Sequence, residues 1–82
     1  MSQIARTTAQ IGAIVRRERR KRDLTQTQLG SRIGLRQATI SKLEKGEPAT
    51  QLRTLLDALT ALDLQVVIAH RGKSQKDVEA LF

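Results

Sequence analysis

Residues 25–46, TQTQLGSRIGLRQATISKLEKG, read as two short helices joined by a tight turn. Thr25 can cap the first helix, with Gln28 reaching back from three residues on, and Leu24 and Leu29 stand at the flanking staple positions. Leu29 and Ile33, four apart, face one way. Gly34 follows, the residue best suited to a left-handed helix end. A second helix is predicted over 37–45, stopped by Gly46. Leu35 and Ile40 form its staple, and Ile40 with Leu43 its narrow inward face.

The outward face of that second helix carries Gln37, Ala38, Ser41, Lys42 and Lys45, related by spacings of three and four. Gln bonds bidentately to adenine in the major groove, and Ala38 suits a thymine methyl. Ala38 and Ser41 are small enough for the backbone to approach base edges. Lys42 and Lys45 suit phosphates on either side. Arg36, the cap position, offers no acceptor, although a good cap is worth about 1 kcal/mol. It reads either as a solvated arginine at a turn or as a functional residue at the mouth of the helix. The pattern implies base contacts from Arg36, Gln37, Ala38 and Ser41, and phosphate contacts from Gln26, Thr39, Lys42 and Lys45.

Residues 25–46 resemble the helix-turn-helix of the Cro/xenobiotic-response-element repressor family. Leu29, Gly30, Gly34, Ile40 and Leu43 match that family's packing positions, with Gly30 where a small residue lets the two helices touch. The run Gly34-Leu35-Arg36-Gln37-Ala38-Thr39-Ile40-Ser41 is similar to HipB-type antitoxins, and a weaker likeness extends over residues 7–70. The resemblance implies an ion pair between Arg19 and Glu44. It also implies an aliphatic residue where this chain has Glu18.

Charge supports a polyanionic partner. Residues 1–46 hold eleven Lys or Arg and three acids, whereas residues 47–82 hold four and five, within a formal net charge of +7. A membrane surface is also polyanionic, but the basic segment lacks the bulky Trp or Phe face of an interfacial helix. Met1 to Arg6 reads as a loose tail without a signal-peptide core, and a cytoplasmic, nucleoid-associated protein is expected. There is no cysteine for disulfides or metal binding. His70 is the single histidine, and no nucleophile stands beside a base, so neither an enzyme nor a cofactor is expected.

Towards the N-terminus, Thr7 with Gln10 predicts a cap for a helix reaching about residue 22, with Ile11, Ile14 and Val15 as its apolar stripe. Its basic end, residues 16–22, is either a solvated face favoured by the helix dipole or a source of one or two phosphate contacts. Towards the C-terminus, Pro48 blocks helix continuation and Thr50 is the expected cap of a helix over 51–62. Leu52, Leu55, Leu56, Leu59 and Leu62 form its expected core stripe. Residues 64–70, LQVVIAH, read as a strand. A lone strand has nowhere to send its ladder hydrogen bonds, so pairing with a second copy through Leu64, Val66, Val67 and Ile68 is expected. Residues 71–82 read as a flexible tail, or as a short helix beginning near Ser74 with Val78, Leu81 and Phe82 on its apolar face.

The expected architecture is all-α. Residues 1–70 form a compact helix-turn-helix domain of four helices with a C-terminal β-strand that pairs across a homodimer. The expected function is repression at a palindromic operator on double-stranded DNA. The resemblance adds an antitoxin role against a HipA-type Ser/Thr kinase toxin; the alternative is a stand-alone repressor of the same fold.

Overall fold

A computed structural model describes residues 3–72 and 75–80. Its helices are α1 (Thr8–Lys21), α2 (Gln26–Ile33), α3 (Gln37–Glu44), α4 (Leu52–Ala61) and a short α5 (Gln75–Glu79). The capping box of α2 forms in full: Gln28 N donates to Thr25 Oγ1 at 3.0 Å, and Thr25 N to Gln28 Oε1 at 2.8 Å. At α1 the box is shifted by one residue. Thr7 Oγ1 accepts from Gln10 N at 3.1 Å, but Gln10 Oε1 accepts from Arg6 N at 2.6 Å. Ser74, Leu81 and Phe82 lie outside the described residues.

The first four helices end on a left-handed residue, which turns the chain sharply and satisfies the last carbonyls. Those residues are Asp23, Gly34, Gly46 and Asp63, with φ of 53°, 71°, 80° and 58°. After α1, Leu24 N bonds to Arg19 O and Asp23 N to Arg20 O. The same pair of bonds recurs after α4, where Leu64 N reaches Leu59 O at 2.8 Å. These compact ends bring α1 to α4 around one aliphatic core of Val15, Leu29, Ile40, Leu43, Ala58, Leu59 and Leu62. The staple residues Leu24 and Leu35 pack against it.

Two expectations at α4 need correction. Its N-cap is Gln51 and not Thr50, and no side chain bonds to the exposed N–H groups. The buried stripe is also rotated. Leu59 and Leu62 are buried and Leu55 packs on the core, but Leu52 and Leu56 are 68% and 43% exposed. Thr54 and Ala58 take the inward positions instead. Five leucines spread over a wide arc of a helix, and α4 turns the side that carries Ala58 and Leu62 inward.

Residues 64–70 form no strand within this chain, and no β-ladder exists among the described residues. Leu64 packs against the core, whereas Val66 is exposed and Ile68 is 93% exposed. The physical reason is the one read from the sequence: a ladder needs a second strand, and a single chain supplies none.

Candidate nucleic-acid interface

The site begins with how α3 is held. Gly12 lies in the middle of α1, where glycine costs about 1 kcal/mol relative to alanine. A Cβ at residue 12 would stand 2.5 Å from Glu44 O and 2.6 Å from Leu43 O, so α1 crosses the end of α3 backbone to backbone. Gly46 makes a similar approach to the start of α1. There a Cβ would lie 2.6 Å from Ala9 Cα, and φ is already +80°. The turn between α2 and α3 packs closely on Gly30, whose neighbours are the Leu35 carbonyl and Ile40 Cγ1.

Beside Gly12 the expected ion pair is present and buried. Arg19 Nε donates to Glu44 Oε2 at 2.6 Å and Nη2 to Oε1 at 2.9 Å, while Nη1 donates to Leu24 O at 2.7 Å. Contact with Glu44 raises the pKa of Arg19 above its ordinary value, against the opposing effect of burial. The network continues outward. Gln26 Nε2 donates to Glu44 Oε1 at 3.1 Å, and Gln37 Nε2 donates to Gln26 Oε1 at 2.5 Å. A buried charge at the core is thereby linked to the first residue of α3. The sequence carried no sign of this bridge, because Gln26 and Gln37 are eleven residues apart.

Along the solvent-facing part of α3, Arg36, Gln37, Ala38, Lys42 and Lys45 are exposed, with Thr39 and Ser41 half-buried. Arg36 is the N-cap and no side chain bonds the N–H groups there, which leaves the positive end of the helix dipole open. Arg36, Lys42 and Lys45 have no acidic partner within ion-pair distance among the described residues. A helix that projects uncompensated cations around small and amide side chains suits a phosphate backbone with base edges between its strands.

The basic end of α1 divides into two parts. Arg16, Arg17, Arg20 and Lys21 line an open depression beside Glu44. Lys21 and Arg22 also pair with Glu18, at 3.1 and 3.4 Å. Those contacts explain how an acid occupies the buried position where the resemblance implies an aliphatic side chain. Contact with Lys21 holds the Glu18 carboxyl below its ordinary value; burial opposes this, and the Lys21 and Arg22 charges and a hydrogen bond from Arg22 assist. Arg32 faces elsewhere, in a depression with Asp57 and Thr60 between α2 and α4. Leu64, Val66, Val67 and Ile68 lie beyond α4 and take no part in the α3 face.

This geometry defines a helix-turn-helix protein, with α2 and α3 as the motif. The chain belongs to the helix-turn-helix family, whose model matches residues 15–68. Two relatives from Sinorhizobium fredii (strain NBRC 101917 / NGR234) are described as uncharacterized HTH-type transcriptional regulators. With y4mF the identity is 33%, over 93% of this chain and 100% of the relative. With y4dL it is 36%, over 83% of this chain, which spans only 35% of that longer protein. Among solved structures, a HipB-O4 20mer complex matches with a TM-score of 0.79 at 28% identity, covering 85% of this chain and 99% of the other. A HipA-HipB-O2-O3 complex matches equally, with a TM-score of 0.79, 28% identity and the same coverage. The chain is thus a helix-turn-helix transcriptional regulator with a HipB-like fold. Among its described residues no helix is long and apolar enough to cross a membrane, and no cluster of His, Cys, Asp or Glu could hold a metal.

Proposed function

We propose that this chain is a sequence-specific repressor of double-stranded DNA that acts as a homodimer, and that it serves as the antitoxin of a HipBA-type module. Base edges would be met by Arg36, Gln37, Ala38 and Ser41, and phosphates by Gln26, Thr39, Lys42 and Lys45. The observation that carries this reading is the exposed face of α3, small at its centre and basic at its rim, on a helix anchored by a buried ion pair. The structural likeness to HipB bound to a 20mer supports it.

Dimerisation is supported by the segment 64–70, which pairs with no strand among the described residues. Val66 and Ile68 are exposed there, and Leu52 and Leu56 are exposed on α4. Antiparallel pairing through Leu64, Val66, Val67 and Ile68 across a two-fold axis would satisfy the free backbone groups. It would also present two α3 helices to successive major grooves about 34 Å apart, on a palindromic operator. The work would take place in the cytoplasm, on the nucleoid. The antitoxin part rests on the likeness to the HipA-HipB-O2-O3 complex and implies a HipA-type Ser/Thr kinase partner. The second reading is a stand-alone repressor, favoured by two relatives described only as transcriptional regulators. A kinase-like reading frame beside the gene would favour the antitoxin over the stand-alone repressor.

The test of DNA reading is selection from a duplex pool randomised over about two helical turns. The wild type should enrich a palindrome. Gln37→Ala should relax one base pair per half-site. Lys45→Ala should weaken all duplexes alike and lower the salt slope by about 0.9 for each phosphate that is no longer neutralised. A selected sequence indifferent to Gln37→Ala would defeat the assignment.

A further inference from the structure

We propose that Arg16 and Arg20 form a second phosphate-binding element, on α1: the pair holds the DNA backbone strand that runs past the C-terminal end of α3, outside the helix-turn-helix itself. This inference rests on the DNA-reading role of α3 proposed above and extends the contact surface to another helix.

The basic run 16–22 sorts itself by what each side chain already holds. Arg19 is committed to Glu44 by two bonds, at 2.6 and 2.9 Å. Lys21 and Arg22 pair with Glu18, at 3.1 and 3.4 Å. Arg17 Nη2 donates to Gln3 Oε1. Arg16 and Arg20 are left. Both are exposed, and neither side chain has a hydrogen-bond or ion-pair partner among the described residues.

Stability does not account for this pair. Residues four apart are neighbours on a helix surface, and like charges there repel. The helix dipole favours cations in the last turn of α1, which covers Arg20 but not Arg16. A repulsive pair on one face breaks a local rule, and such breaks gather at functional sites.

The fold places the pair beside α3. Gly12 lets α1 cross the end of α3 backbone to backbone, and Arg16 and Arg20 follow Gly12 at steps of four along α1. Both line an open depression that also reaches Glu44, the last residue of α3. That carboxylate does not repel an anion there, because Arg19 neutralises it. The next residue is the exposed Lys45. A helix in the major groove has a phosphate strand on either side, and the depression opens along one side of α3, lined with cations. Each guanidinium fork can bond a phosphate through two parallel N–H groups. Cβ atoms about 5–6 Å apart let the two side chains reach neighbouring phosphates of one strand. Contacts of this kind position the protein and carry no sequence information.

The experiment is the salt dependence of duplex binding by the full chain, as wild type, Arg16→Gln, Arg20→Gln and the double variant. Glutamine keeps the helix propensity and removes the charge. Arg32→Gln is the control, with the same change of charge at an exposed arginine between α2 and α4. Each α1 substitution should lower the slope of log affinity against log salt by about 0.9, and the double variant by about twice as much, on selected and random duplexes alike. Arg32→Gln should leave the slope unchanged. The double variant should melt no lower than the wild type, because a repulsion is relieved. A double variant with the wild-type slope, or with a slope lowered no further than by Arg32→Gln, overturns the inference while leaving the reading of α3 intact; the depression would then suit an acidic protein segment. A double variant that melts well below the wild type makes the pair structural and overturns it also. A wild type that binds no duplex overturns the reading of α3 and this inference with it.

Discussion

Arg19 and Glu44 stand 25 residues apart, yet the guanidinium of one grips both carboxylate oxygens of the other, at 2.6 and 2.9 Å. The remaining Arg19 nitrogen bonds to the carbonyl of Leu24, just before α2. One side chain therefore ties the end of α1, the approach to α2 and the last turn of α3 into a single unit. Glu44→Ala should leave that guanidinium buried without its partner, a loss of about 3–5 kcal/mol. Urea unfolding would measure it. A midpoint equal to that of the wild type would mean that packing alone holds α3 in place.

Gly12→Ala has an outcome opposite to the propensity rule. In an exposed helix interior, this change stabilises by about 1 kcal/mol. At residue 12 the new methyl would stand 2.5 Å from a backbone carbonyl of α3, which cannot swing aside as a side chain can. Overpacking of this kind costs about 1–3 kcal/mol, so the net effect should be destabilising. A raised melting temperature for Gly12→Ala would show that α1 and α3 are not in backbone contact in solution.

Val67→Pro addresses the dimer. Proline removes a backbone donor and fixes φ, which disrupts a ladder through residues 64–70. The variant should sediment as a monomer at micromolar concentration. Its affinity for a full palindrome should fall steeply, because linked half-sites gain from effective concentration, while half-site binding survives. A dimeric Val67→Pro protein with intact operator affinity would move the interface to the exposed Leu52–Leu56 edge of α4.

The pH dependence should come from Glu18. Its folded pKa is depressed below 4.5, chiefly by contact with Lys21, so its contribution is present above the unfolded value and is lost as pH falls through the folded one. Helical ion pairs of this spacing are worth about 0.3–0.5 kcal/mol each. The stability difference between wild type and Glu18→Gln should thus be constant near neutrality and shrink below about pH 4.5. Denaturant titrations at several pH values would show it, and a gap that widens on acidification would contradict the sign.

What the amino-acid sequence determined unaided lies within a few residues along the chain. The Thr25–Gln28 box, the Leu24–Leu29 and Leu35–Ile40 staples and the left-handed Gly34 are signals that one helical turn can satisfy, and the structure keeps them. The Arg19–Glu44 pair was legible only through resemblance to a known family, since no spacing rule links those two positions. Tertiary packing alone decided the rest. It rotated α4 so that Leu52 and Leu56 point outward, although their spacing matches that of the buried leucines. It brought Gly12 onto the Glu44 carbonyl and laid the Gln26 amide between Glu44 and Gln37. The physical reason is that periodicity defines an apolar arc but not the angle at which a helix is rolled. That angle, and any contact that crosses between helices, is set by whatever the helix packs against.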